Sequence, residues 1–240
     1  MRNVVWFSCG AASAVAAKLA VKELENVDVV YCDTGGEHPD NKRFLKDVEK
    51  WICRKVTILK NEGYADHFDV VKKTKFINGP FGARCTIELK KVLRHRYQRP
   101  DDIHIFGYTI DEQARADRFD KAHWELSTDW ILIRHGLSKE DVLGIIWKSG
   151  IELPSMYKLG YNHNNCIGCV KGGMGYWNMI RNDFPEQFNR MARIEREIGN
   201  AVINGVYLDE LDPNAGRGIK EPNISCGLEC QIAMQEISES

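Results

Sequence analysis

The chain has 240 residues, 43% hydrophobic and 28% charged, which suits a water-soluble globular protein able to bury a large core. A formal net charge of −1 gives no bulk attraction to nucleic acid and leaves room only for a local basic patch. No segment approaches the ~18 apolar residues of a membrane span, and no cationic leader precedes an apolar run, so a cytoplasmic protein off the membrane is expected. In that compartment the eight cysteines read as thiols, metal ligands or catalytic groups rather than disulfides.

Val4–Phe7 suits a buried parallel strand, and Ala11–Leu24 is Ala- and Leu-rich with apolar residues at helical spacing, so Ser8–Ser13 is the turn between them. A loop that opens a helix with Ser and Gly aims backbone N–H groups and the positive end of the helix dipole at one spot, where phosphate binds. The alternative is a plain turn whose small residues let strand and helix pack closely. Val27–Cys32 is a second strand ending in Asp33-Thr34-Gly35-Gly36, Pro39–Trp51 a helix, and Lys55–Leu59 a third strand. Strand-helix-strand-helix-strand calls for a parallel sheet, in which Ser8–Ser13 and Asp33–Gly36 line one crevice at the strand ends.

Tyr64–Lys75 suits a helix and residues 78–82 a loop. Ala83-Arg84-Cys85-Thr86 then leads into a helix over Ile87–Gln98 carrying Lys90, Lys91, Arg94, His95 and Arg96, either a solvated face or contacts to an anion. Ile103–Gly107 is a fourth strand running into a helix that bears Arg115 and Arg118 three apart, on one side, where Asp111, Glu112 or an anionic ligand can pair with them. Trp130–Arg134 reads as a last strand, and Ser138 caps a helix to Ser149. Residues 1–150 therefore form an α/β core, and 151–240 a cysteine-containing extension packed on it.

The extension holds Cys166-Ile167-Gly168-Cys169, helices over Met174–Arg181 and Pro185–Ile198, a Gly- and Pro-containing tail from Asp212 to Pro222, and Cys226 with Cys230. A C-x-x-C turn brings two sulfurs within reach of one metal, and a second pair strengthens that reading. Cys166, Cys169, Cys226 and Cys230, with Cys85 as a rival fourth ligand, suit zinc or an iron–sulfur cluster equally by ligand type. Cys32 and Cys53 read as small buried hydrophobes.

Several segments together resemble the phosphoadenosine phosphosulfate reductase family of the adenine-nucleotide alpha-hydrolase superfamily, which includes ATP pyrophosphatases with a modified phosphate loop. They are Phe7–Ser13, Tyr31–Gly35, Arg84-Cys85-Thr86 with Lys90 and Lys91, Gly107–Arg118, Asp129-Trp130, and Gly160–Cys169. The resemblance implies a doubly wound, mainly parallel sheet with helices on both faces and an adenine nucleotide over the first loop. It assigns Ser8, Gly10 and Ser13 to phosphate, Asp33 to the nucleoside, and Arg84, Arg115 and Arg118 to anionic groups, with Cys9, Thr34, Gly35 and Gly107 completing the set. It favours an iron–sulfur cluster beside the nucleotide over zinc. Ser225-Cys226-Gly227-Leu228 is similar to the segment carrying the nucleophilic cysteine of sulfonucleotide reductases, which use a thiol reductant such as thioredoxin. Cys226 is thus either nucleophile or ligand. The sequence departs from the family pattern at several positions: Ser225 and Glu229 replace the family's Glu and His, Cys85 is single where the iron–sulfur reductases have adjacent cysteines, and in the phosphate loop Cys9 replaces the first Gly and Ala12 the Asp that helps bind magnesium in the pyrophosphatases. Sulfonucleotide reduction or sulfur transfer is the expected activity. Nucleotide-dependent modification of nucleic acid, or a non-catalytic nucleotide-binding module, is the alternative.

Overall fold

A computed structural model of the chain describes residues 1–79 and 82–216. Internal contacts divide the chain into two compact units, each assembled from separate stretches: 1–33, 38–60 and 93–164 form the first, and 34–37, 61–92 and 165–240 the second.

The first unit is built on five parallel strands, β1 (Asn3–Phe7), β2 (Val27–Asp33), β3 (Val56–Lys60), β4 (Ile103–Ile105) and β5 (Ser127–Asp129). They lie in the order β3-β2-β1-β4-β5. β1 is apolar and buried from Val4 to Phe7 because the sheet is covered on both faces, as parallel sheets are. Val5 and Phe7 pack with α1 (Ala11–Glu23) and α2 (Asn41–Ile52) in one core, which also takes in Ile131 of α7 (Ile131–Arg134) and Ile146 of α8 (Lys139–Lys148). Right-handed crossovers put α1 and α2 on that face and α6 (Gln113–Ala122), between β4 and β5, on the other. There Phe119 packs edge-on against Phe106, with ring centroids 5.0 Å apart. Ser138 caps α8 as expected, its hydroxyl accepting from Asp141 N at 3.1 Å.

The expected strand over Trp130–Arg134 is corrected: residues 127–129 take the fifth place in the sheet and the chain then turns into α7. Asp120 causes the turn by accepting from Thr128 Oγ1 and Trp130 Nε1, both at 2.8 Å. Cys53 is also corrected, since it is exposed at the left-handed C-terminal cap of α2 with φ +54°.

In the second unit, α3 (His67–Thr74) packs with α11 (Pro185–Ile198), and α11 with α10 (Met174–Asp183). Trp177, fully buried, meets the Phe188 ring at 6.3 Å. Such a side chain contributes about 1.5–3 kcal/mol through burial. α4 (Arg84–Thr86) runs into a π-helical turn over Ile87–Lys91, after which α5 (Val92–Tyr97) belongs, from Leu93 on, to the first unit. A solvated basic face describes only part of this segment: Lys90, Lys91 and Arg94 are buried, while His95 and Arg96 are exposed. No described helix is long and apolar enough to cross a membrane.

Candidate functional site

In the first unit the strand order reverses between β1 and β4, the place where open parallel sheets bind ligands. β1 ends in exposed Ser8, then buried Cys9 in the left-handed conformation at φ +56°, then Gly10, which caps α1 without any side-chain bond. Ser13 shapes this loop from inside. Its buried hydroxyl accepts from Ser8 N at 3.0 Å, lies 3.1 Å from Ser8 Oγ and donates to Gly10 O at 3.0 Å. Cys9 acts through its backbone, because its carbonyl accepts from Asn164 Nδ2 at 2.7 Å and Asn164 also donates to Asn41 Oδ1 at 2.8 Å.

Gly107, just past β4, has a steric role. A Cβ there would stand 2.6 Å from Ser13 N and 2.7 Å from Ser13 Cα, so only glycine lets the end of β4 meet the first turn of α1. Asp33 is half-buried at the end of β2. Arg115 bonds Glu112 Oε1 at 2.7 Å and lies 4.4 Å over the Tyr108 ring, itself stacked on Trp130 at 5.0 Å. Pairing along the chain is therefore the arrangement seen for Arg115, while Arg118 sits half-buried one turn on. The field at this corner is positive. Burial first, then Lys139 and Arg115, push the His163 imidazole down to about 4, leaving it neutral at pH 7. Sequence reasoning missed Asn41, Asn164 and Tyr157. Only Asn164 had a nearby signal, the polar run beside the C-x-x-C, which carries no periodicity.

Thr34, Gly35, Arg84 and the cysteine pair belong to the second unit. The Cys166–Cys169 turn is buried and held by one phenol. Tyr176 Oη accepts from Gly168 N at 3.1 Å and Cys169 N at 2.9 Å, and donates to Cys166 O at 3.0 Å. His67 Nε2 meets Gly168 O at 3.2 Å, and Gly168, at φ +75°, has no room for a Cβ beside Phe68. Thr34 Oγ1 lies 3.1 Å from Cys166 Sγ, and Ile167 N donates to Gly36 O at 2.9 Å. The Thr34 hydroxyl thus faces a thiol. Gly35, at φ +67°, passes so close to Ala65 that a Cβ would stand 2.0 Å from its carbonyl oxygen. Arg84 is exposed and pairs with Glu88 at 2.8 Å, while Cys85 beside it is buried.

Among the described residues no three His, Cys, Asp or Glu side chains are grouped to hold a metal ion, so Cys85, Cys166 and Cys169 do not make a ligand set by themselves. Cys226 and Cys230 lie outside the described residues.

The sequence profile of the phosphoadenosine phosphosulfate reductase domain matches residues 2–172. An uncharacterised protein of Methanocaldococcus jannaschii is 23% identical over 216 residues, covering 84% of this chain and 50% of its own length. An uncharacterised nin region protein of Escherichia phage lambda is 28% identical over 200 residues, covering 71% of this chain and 66% of its own. The chain thus spans half the length of the archaeal relative it matches. Among solved structures, phosphoadenylyl-sulfate reductase from Candida auris in a phosphate complex superposes with a TM-score of 0.52 at 12% identity. That superposition covers 69% of this chain and 81% of the other, a likeness of fold.

Proposed function

Because the chain belongs to the phosphoadenosine phosphosulfate reductase family, we propose that it binds an adenine nucleotide at the Ser8–Ser13 loop and carries out thiol-dependent sulfur chemistry on it. The observation that carries the reading is the loop itself. Ser13 fixes it from within, Gly107 brings the end of β4 against it at the strand-order reversal, and Ser8 faces solvent at the start of an uncapped α1. Asp33, Arg115 and Arg118 are the further contacts proposed in this unit.

The proposed reaction is sulfonucleotide reduction. A thiolate, assigned to Cys226, attacks the sulfonate sulfur of a 5′-phosphosulfate; an S–S bond forms, the S–O bond breaks, and the nucleotide phosphate leaves with the electron pair. A dithiol reductant of the thioredoxin class then attacks the cysteine sulfur of that adduct, displaces sulfite and restores the thiol through its own oxidation to disulfide. In the second unit the buried Cys166–Cys169 pair is the proposed cluster-binding pair, with Cys226 and Cys230 as the further ligands if Cys226 is a ligand, and no step is routed through a metal. The thiol chemistry makes a cytoplasmic setting the proposed one.

Calorimetry with adenosine 5′-phosphosulfate, phosphoadenosine phosphosulfate, ATP and adenosine tests the binding, and sulfite release with thioredoxin tests the chemistry. Nucleotide binding without turnover of any of them would support a non-catalytic module, and no binding by the wild type would end the reading. Iron, sulfide and zinc analysis after anaerobic purification tests the cysteines. Iron with sulfide supports a cluster, zinc alone a structural knot, and none of the three removes both.

A further inference from the structure

Residues 152–158 form a strap tied to the start of α2. The Asp40 carboxylate accepts from Arg43 Nε at 2.7 Å and Nη2 at 2.8 Å, and its Oδ2 also accepts from Ser155 N at 2.9 Å. Arg43 in turn donates to Glu152 O at 3.0 Å and Leu153 O at 3.2 Å. Pro154 then leads into the single turn α9 (Ser155–Lys158). The strap delivers the Tyr157 hydroxyl to the phosphate loop: a Cβ on Gly10 would be 3.4 Å from Tyr157 Oη and 3.6 Å from Ser8 Oγ, so both hydroxyls border one small space. The Ala11 amide is directed at the Tyr157 oxygen, and burial raises the phenol's pKa, keeping its proton on. Beside the same loop Asn164, 6% exposed, leaves its Oδ1 without a partner while its Nδ2 holds the Cys9 carbonyl. Polar groups left unmatched in protected positions are costly unless something satisfies them.

We propose that Tyr157 is a binding residue for the anionic end of the nucleotide: its oxygen accepts from the Ala11 N–H while its O–H donates to a phosphoryl or sulfonyl oxygen seated over Ser8 and Gly10. The inference rests on the nucleotide reading above and adds to it a hydroxyl donor and the Asp40–Arg43 clamp that positions it.

Tyr157→Phe removes the donor and keeps the ring. By calorimetry the affinity for the three 5′-anionic nucleotides of the panel should fall about 10- to 100-fold, the span implied by a hydrogen bond to a charged group, with adenosine affinity unchanged. Arg43→Ala, which frees the strap, should reproduce the loss more weakly and with the same indifference to adenosine; it carries the test if Tyr157→Phe does not melt cooperatively. Equal or tighter nucleotide binding by a folded Tyr157→Phe, or an equal loss for adenosine, overturns the donor role while leaving the nucleotide site standing. Failure of the wild type to bind any of the panel removes the site, and this donor with it.

Discussion

Replacing Tyr176 by Phe deletes one oxygen and with it three hydrogen bonds inside the cysteine turn. Gly168 N and Cys169 N lose their acceptor, and Cys166 O loses a donor. Tyr176 is only 5% exposed, Cys166 6% and Cys169 3%, so water does not easily replace the phenol. At about 1 kcal/mol per bond the loss is about 3 kcal/mol, and more if the two amides stay dry, since an orphaned buried group costs ~1–3 kcal/mol. For a chain of this size each kcal/mol lowers the melting temperature by about 2–4 °C, so a drop of about 6–12 °C is expected by calorimetric scanning. The turn should also open more often, and Cys166 and Cys169 should react faster with a disulfide reagent in native buffer. A melting temperature within about 2 °C of wild type, together with unchanged thiol reactivity, would refute the idea that the phenol holds the turn.

Gly107→Ala places a methyl against backbone rather than a pliable side chain, so α1 must move; a loss of about 1–3 kcal/mol in urea denaturation and weaker nucleotide binding are expected, and a neutral effect on both would remove the close approach as a constraint. Acid should destabilise the protein through His104, which accepts from Trp6 Nε1 at 2.9 Å and is pushed down to about 4, mainly by burial and then by Arg94. Between its ordinary value of 6.5 and about 4 the unfolded chain holds more protons than the native one, so this contribution is complete above pH 6.5 and is lost as pH falls toward 4; an unchanged urea midpoint at pH 5 relative to pH 7 would contradict it.

Where periodicity was strong, the chain announced its own elements. β1, α1, β2, α2 and α11 lie within about two residues of where Val-rich runs, Ala-rich helical spacing and the proline at residue 185 put them. The error at Trp130 arose because three apolar residues, Ile131–Ile133, fit a strand or a helical turn equally well, and the deciding group, Asp120, is ten residues away. The buried bases Lys90, Lys91 and Arg94 were unforeseeable for a related reason, since a π-helical turn shifts which side chains share a face. The loop was legible as a strand-to-helix turn of small residues. That Ser13 is spent on the loop's own backbone, and that Tyr157 and Asn164 reach it from a stretch remote in sequence, was not. Those contacts depend on tertiary placement of residues that have no pattern of their own.

The interleaving of the two units also bears on synthesis. Neither unit corresponds to a continuous length of chain, so no single cut liberates one of them whole. As the polypeptide emerges, residues 34–37 and 61–92 must wait for the stretch beginning at Asn165 before their unit can close, an interval of 73 residues if counted from Val92 to Asn165. At ~5–20 residues per second that is about 4–15 s during which α3 lacks its partner α11. The Cys166–Cys169 turn is thus among the later parts to be made, and its thiols enter an already half-built compartment.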